Sequence, residues 1–106
     1  MPRYLISGSY TATGMKGVLT EGGSGRRDAV AKLAASVGGR IESFYFGFGG
    51  DDFFVTVDLP SNEAAVAVAM TVGASGAAGT RTTVLLTPEE VDAATKLSPS
   101  YRAPGG

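Results

Sequence analysis

The 106-residue chain contains no cysteine and no histidine. Without cysteine it can form no disulfide, no thiolate nucleophile and no cysteine-ligated metal site. Without histidine it lacks the side chain that most often acts as a general base near neutral pH, or as a metal or haem ligand. We therefore expect no metal site and no cofactor. Acid–base chemistry, if there is any, falls to Asp, Glu, Tyr, Lys or a bound cofactor.

The chain also lacks a charge excess and a long apolar run. Nine basic and ten acidic residues give a formal charge of -1, which provides no general attraction to nucleic acid or anionic membrane. No stretch approaches the length of a membrane span, and the start MPRYLISGSY has no signal-peptide core. We expect a cytoplasmic protein with no membrane or nucleic-acid partner.

Length and pattern predict one globular domain at residues 1–97 and a flexible C-terminal tail at 98–106. Strands are predicted at Arg3–Tyr10, Arg40–Phe48, Asp52–Leu59 and about Thr80–Thr87. Helices are predicted at Thr13–Glu21, Ser24–Val37, Pro60 to about Gly73 and Thr87–Leu97. The resulting β-α-β-β-α-β order, with a short helix inserted after the first strand, predicts an α+β, ferredoxin-like fold. Its four-stranded antiparallel sheet would carry the helices on one face.

The segment FYFGFGGDDFF places two adjacent acids inside an apolar run. Gly49, Gly50, Asp51 and Asp52 lie between two predicted strands, which indicates a hairpin turn. In such a turn glycine supplies positive φ and aspartate bonds its own backbone. A catalytic carboxylate pair or a weakly held hard cation is the alternative. Neighbouring residues on an extended chain point apart, however, which suits a shared proton poorly.

Side chains on the predicted strands alternate between two faces of the sheet. The face that we expect the helices to cover comprises Tyr4, Ile6, Phe44, Phe46, Phe48, Phe53, Val55, Val57, Leu59, Val84 and Leu86. The other face comprises Leu5, Ser7, Ser9, Ile41, Ser43, Tyr45, Phe54, Thr56, Asp58, Arg81, Thr83 and Leu85. This mixed, partly aromatic face is too apolar for ordinary solvent contact, so a second subunit, a ligand or both should cover it.

Five residues are candidates for a ligand-binding site: Tyr10, Tyr45, Thr56, Asp58 and Arg81. Under a partner subunit they would line a pocket, with Arg81 as the anion anchor and Tyr45 or Asp58 as a possible acid or base. Packing at an interface is the alternative explanation for the same residues.

A secondary anion site is predicted at Arg26 and Arg27, which follow the glycine-rich segment Gly22–Gly25. Free backbone N–H groups and two guanidinium groups could hold a phosphate or carboxylate there. The segment lacks the Lys-Ser/Thr of a Walker loop. An ordinary loop capped by Ser24 is the alternative.

The segments TGMKGV, RRDAVAKLAASVGG, SFYFGFGGDDFFV and GASGAAGTRT resemble the GYD domain family over most of Tyr4 to Glu90. The resemblance implies a ferredoxin-like fold of the dimeric α/β-barrel kind, in a small bacterial or archaeal stand-alone protein with no settled activity. The family turn usually has tyrosine before its aspartate, whereas Asp51 occupies that position here. No catalytic residue carries over.

Three functions remain open. The first is binding of a small anionic ligand or substrate in a pocket at the open sheet face, closed by the mobile segment of Met15, Val18 and Leu19. The second is an interaction protein that uses this face only to form a homodimer or higher oligomer. The third is a cofactor-free oxygenase or isomerase, by analogy of fold.

Overall fold

A computed structural model describes the whole chain, from Met1 to Gly106. The elements in chain order are β1 Arg3–Tyr10, α1 Ala12–Ser36, β2 Arg40–Phe46, β3 Phe53–Asp58, α2 Asn62–Ala74, β4 Ala78–Leu85 and α3 Pro88–Thr95. No helix combines the length and the apolar composition that a membrane crossing requires.

The four strands form one antiparallel sheet in the order β2-β3-β1-β4. β1 lies inside it and pairs with β4 along its whole length, from Arg3 opposite Leu85 to Tyr10 opposite Ala78. β3 pairs with the other side of β1, and β2 forms the far edge. The predicted α+β class and four-stranded antiparallel sheet are confirmed.

Helices α2 and α3 begin directly after a capping residue, Ser61 and Thr87 respectively. The Ser61 hydroxyl accepts a hydrogen bond from the Ala64 amide at 3.2 Å. The Glu90 amide donates to the Thr87 hydroxyl at 3.1 Å, and the Thr87 amide donates to the Glu90 carboxylate at 3.0 Å. This reciprocal capping box satisfies amides that have no partner inside the helix. Both helices begin within the regions predicted for them.

Helix α1 occupies the region where two helices and a glycine-rich loop were predicted. It begins at the N-cap Thr11 and contains a single non-helical residue, Gly22, with φ 76° and ψ 173°. Glycine reaches such angles without steric cost. The break thus falls at Gly22, two residues before the predicted cap Ser24. The prediction of a loop over Gly22–Gly25 is wrong.

The core lies between the helices and one face of the sheet, called the covered face below. One cluster joins Tyr4 and Leu59 to Ala34 of α1 and Ala65 of α2. A second cluster contains Phe53, Val55 and Ala78. The Tyr4 hydroxyl is satisfied by donating to the Asn62 side chain at 2.6 Å. Only 12 of the 106 residues are buried, so the core is small.

A bulge in β2 corrects one predicted assignment. The pairing of β2 with β3 shifts between Ile41, opposite Val57, and Ser43, opposite Thr56. An extra residue in a strand changes which face the residues before it occupy. Ile41 therefore packs against the core clusters and not on the opposite face, where strict alternation had placed it.

The β2–β3 turn uses a different residue from the predicted one. Strand β2 ends at Phe46, and Phe48 adopts a φ of 54°, whereas Gly49 and Gly50 have no positive φ. The Phe48 ring stacks parallel on Phe46, with ring centroids 5.7 Å apart. The prediction that glycine supplies the left-handed residue of this turn is wrong, because an aromatic contact holds Phe48 there instead.

Residues 86–106, called the C-terminal arm below, are exposed throughout. Leu86, Val91, Leu97 and Tyr101 are its exposed large hydrophobic side chains. The radius of gyration is 16.8 Å and the longest dimension is 55 Å. A compact domain of this length has a radius of gyration of about 13 Å. The arm thus adds apolar surface that the rest of the chain does not bury.

Candidate functional site

The face of the sheet opposite α1 and α2, called the open face below, carries side chains in three rows. The strand register sets these rows as Tyr45-Phe54-Ser7-Arg81, Ser43-Thr56-Leu5-Thr83 and Arg40-Asp58-Arg3-Leu85. The first row is partly aromatic, the second is rich in hydroxyl groups and the third is mostly charged. In the second row the hydroxyl groups of Ser43 and Thr56 are hydrogen-bonded.

Four of the five predicted site residues lie on the open face, but the structure does not gather them. Tyr45 and Arg81 are separated by two strands within one row, which places their backbones roughly 14 Å apart. Thr56 and Asp58 lie in the second and third rows. The fifth residue, Tyr10, belongs to the covered face, where it packs with the second core cluster.

Arg81 has an anionic partner inside the chain. Its guanidinium group donates to the Asp51 carboxylate, so the turn supplies the partner that was expected from a ligand. The Asp52 carboxylate accepts from the Tyr10 amide at 2.9 Å. The two acids thus fasten the β2–β3 turn to β4 and β1, which explains their position in an apolar run.

The predicted closure over Arg81 is not present. Leu19 is 81% exposed, and the first half of α1 begins beside the start of β4, where the Thr11 hydroxyl donates to Gly76 at 2.7 Å. Met15 and Val18 are only half-buried. This segment is part of a helix at the end of the sheet.

Asp58 carries the strongest ion pairing of the open face. Its carboxylate accepts from Arg3 Nε at 2.8 Å and Arg3 Nη2 at 3.2 Å, and lies 3.5 Å from Arg40. The hydrogen bond from Arg3 holds the pKa of Asp58 below its usual range, against the opposing effect of burial, and the charges of Arg3 and Arg40 add to it. Asp58 is therefore ionised and fully paired.

We expect Asp58→Asn to reduce the loss of folding stability that the native protein shows as the pH falls below about 4. A carboxyl whose folded-state pKa is depressed stabilises the protein above its unfolded pKa of about 4, and this is lost as pH falls through the folded value. The urea midpoint of the native protein should therefore fall below about pH 4, and that of Asp58→Asn should fall less. Asp92→Asn on α3 serves as the control, and an equal slope in all three proteins would contradict the assignment.

A mostly hydrophobic cavity lies on the covered face. This cavity of about 410 Å³ is bounded by α1, α2 and the sheet, and 14 of its 18 lining residues are hydrophobic. Ile6, Phe53 and Val55 form its floor, while Val30 of α1 and Val72 of α2 lie on its sides. No sequence signal indicated this cavity, because it depends on the spacing of two helices over the sheet.

Tyr10 lines the cavity at the end of β1. Its ring packs against Phe53 with centroids 4.9 Å apart. Burial raises the pKa of the Tyr10 hydroxyl; the Arg26 charge opposes this, and the charges of Asp52 and Glu21 reinforce it. The hydroxyl is therefore neutral near neutral pH, where it is a hydrogen-bond donor and a poor base.

The two arginines of the predicted anion site separate. Arg26 lines the cavity and lies 3.1 Å from Glu21. Arg27 does not line the cavity and lies 3.6 Å from Asp28, with both side chains more than half exposed. No three acidic side chains come together as a metal site would require.

An open antiparallel sheet with α1 and α2 on one face and an apolar cavity beneath them defines a small α+β domain. The chain belongs to the GYD domain family, whose model matches residues 4–95, nearly the whole chain. The resemblance predicted from the sequence is thus confirmed. No curated protein and no solved structure matches the chain.

Proposed function

We propose that this protein binds a small, largely apolar molecule in the cavity between α1, α2 and the sheet. The observation that carries the proposal is the cavity itself, with its volume of about 410 Å³ and its hydrophobic walls. Protein interiors leave few voids larger than a water molecule, whereas ligand pockets span roughly 300–1,000 Å³. The volume therefore fits a ligand better than a packing defect.

The open face is a weaker candidate for the ligand. Arg81 is paired with Asp51, and Asp58 is paired with Arg3 and Arg40. An anion bound there would have to displace a carboxylate that is already in place. The side chains that were predicted to hold a ligand on this face are thus better explained as partners of one another.

Filling the cavity should abolish binding. We expect the neutral fluorescent probe N-phenyl-1-naphthylamine to bind the native protein and to lose at least roughly tenfold in affinity in Val72→Trp, because the indole would occupy the cavity. Fluorescence titration measures the affinity, and circular dichroism checks that the variant is folded.

The matched control is Val66→Trp on the same helix. Val66 is 52% exposed and does not line the cavity, so this variant should bind the probe as the native protein does. Absence of probe binding to the native protein, or equal binding by Val72→Trp, would overturn the proposal.

We further propose that the chain adopts the ferredoxin-like arrangement and pairs its open faces in a dimeric α/β barrel. The strand order β2-β3-β1-β4 supports the first part. The exposed aromatic rings of Tyr45 and Phe54 on the open face support the second. An unpartnered apolar row of this kind is typical of an interaction surface.

An interaction protein without a ligand is the second candidate function. The C-terminal arm favours it, because Val91, Leu97 and Tyr101 are exposed on a segment that the chain itself does not bury. The probe titration separates the two candidates, since only the ligand-binding protein depends on Val72. An oxygenase or isomerase has less support, because Tyr10 is a poor base in the cavity.

A further inference from the structure

The cavity has one polar end. Arg26 is the only charged residue among those lining it, and Tyr10 lines it as well. Arg26 belongs to α1 and Tyr10 ends β1, so the two elements present both groups to the same cavity. The remaining polar lining residues are hydroxyl side chains of Thr71, Ser75 and Thr80.

Both groups have hydrogen-bonding capacity that the chain does not use. The Tyr10 hydroxyl makes no hydrogen bond within the chain, although its amide is bound by Asp52. The Arg26 guanidinium lies 3.1 Å from Glu21, and its side chain remains 32% exposed. That contact is an ion pair without the geometry of a hydrogen bond. Donors at the rim of an apolar cavity are thus available to a ligand.

The chemistry of these donors restricts the ligand. A guanidinium group and a neutral phenol both donate, so the ligand must offer acceptor oxygens. A guanidinium fork matches a carboxylate with two parallel hydrogen bonds. The carboxylates of Glu21 and Asp52 also act on this end of the cavity, which disfavours a multiply charged anion such as phosphate. A single carboxylate remains the best match.

We propose that the ligand of the cavity is a hydrophobic monocarboxylate, whose apolar body fills the cavity while its carboxylate binds Arg26 and accepts from the Tyr10 hydroxyl. The inference rests on the proposed function of the cavity and adds the class of ligand. The bound carboxylate takes the place of Glu21 beside Arg26.

Glu21 is therefore a competitor of the ligand. It lies directly before the break at Gly22, on the opposite side of that residue from Arg26, and its side chain is 37% exposed. It can turn toward solvent without disturbing the second half of α1. Removing its charge should strengthen carboxylate binding, an effect that a purely structural ion pair would not produce.

The test measures displacement of N-phenyl-1-naphthylamine by decanoate and by decanamide, which share an alkyl chain and differ in charge. In the native protein decanoate should compete roughly tenfold better, as expected for hydrogen bonds to a charged group. Arg26→Gln should abolish that preference and Tyr10→Phe should reduce it, with the preference taken in each variant as the ratio of the two competitors. Glu21→Gln should increase it several-fold. Arg27→Gln is the matched control and should leave it unchanged.

The possible results separate the two proposals. If the native protein does not bind the neutral probe, the cavity is no ligand site and the proposed function fails. If the probe binds but decanoate and decanamide compete equally, or Arg26→Gln keeps the preference, the cavity stands and the carboxylate assignment is overturned. If Arg27→Gln lowers the preference for decanoate as much as Arg26→Gln does, the carboxylate assignment is also overturned. The general charge of the surface would then explain the preference.

Discussion

Gly8→Ala should prevent the chain from forming its native sheet. A Cβ atom at Gly8 would lie 1.9 Å from the Gly79 carbonyl oxygen, and this contact is with backbone that cannot turn aside. Gly8 lies on β1, and the register pairs it with Thr80 of β4. We expect a loss of about 3 kcal/mol or more in the free energy of unfolding, which is a large part of the stability of a small domain.

The matched control is Gly79→Ala on the facing strand. A Cβ atom there meets nothing within 4 Å, so this variant should melt close to the native protein. Thermal melts followed by circular dichroism compare the three proteins. Equal melting temperatures for Gly8→Ala and the native protein would show that the β1–β4 pairing differs from the one described.

Phe54→Asp should convert the proposed dimer to monomer. Phe54 lies in the aromatic row of the open face beside Tyr45 and is 38% exposed in the single chain. A charge placed without a partner in a dry interface costs several kcal/mol. Light scattering coupled to size-exclusion chromatography at micromolar concentration measures the change in mass.

Val66→Asp is the control for the effect of the new charge. It places the same side chain on an exposed position of α2, away from the open face, and should leave the mass unchanged. A native protein that is already monomeric at these concentrations would rule out the dimer. Two variants with equal loss of assembly would show that the open face is not the interface.

Local patterns predicted much of the fold. Helices α2 and α3 begin at the expected residues because Ser61 and Thr87 cap them through contacts three residues apart. The end of α1 could also be predicted from the sequence, because Gly38 follows it and adopts a φ of 83°, which glycine tolerates. Such signals depend on the chain within one turn, and therefore survive in the folded protein.

The errors come from features that local patterns do not contain. Strict alternation placed Ile41 on the wrong face of the sheet. The bulge that moves Ile41 to the covered face is visible only in the pairing of β2 with β3. The ion pair of Arg81 with Asp51 joins residues 30 positions apart, whereas a ligand was the expected partner of Arg81. Turn chemistry explained why Asp51 could be there, but not which residue it would bind.

For the candidate site, too, the sequence pointed to individual residues but not to their positions in the fold. Arg26 was selected as an anion-binding residue on the basis of a glycine-rich loop, and the structure places it in a helix at the rim of the cavity. Tyr10 was selected with the open face and belongs to the covered one. The sequence assigned the two residues to different predicted sites, and only the placement of α1 and α2 over the sheet brings them to one cavity.

With so small a core, the proposed dimer would tie the stability of this chain to its concentration. With 12 of 106 residues buried and an exposed C-terminal arm, a single protomer gains little from its own packing. If partner surfaces supply the missing burial, the assembly equilibrium enters the melting temperature by mass action. Dilution alone would then unfold part of the protein, without any denaturant. The protein concentration in the cell would set the folded fraction.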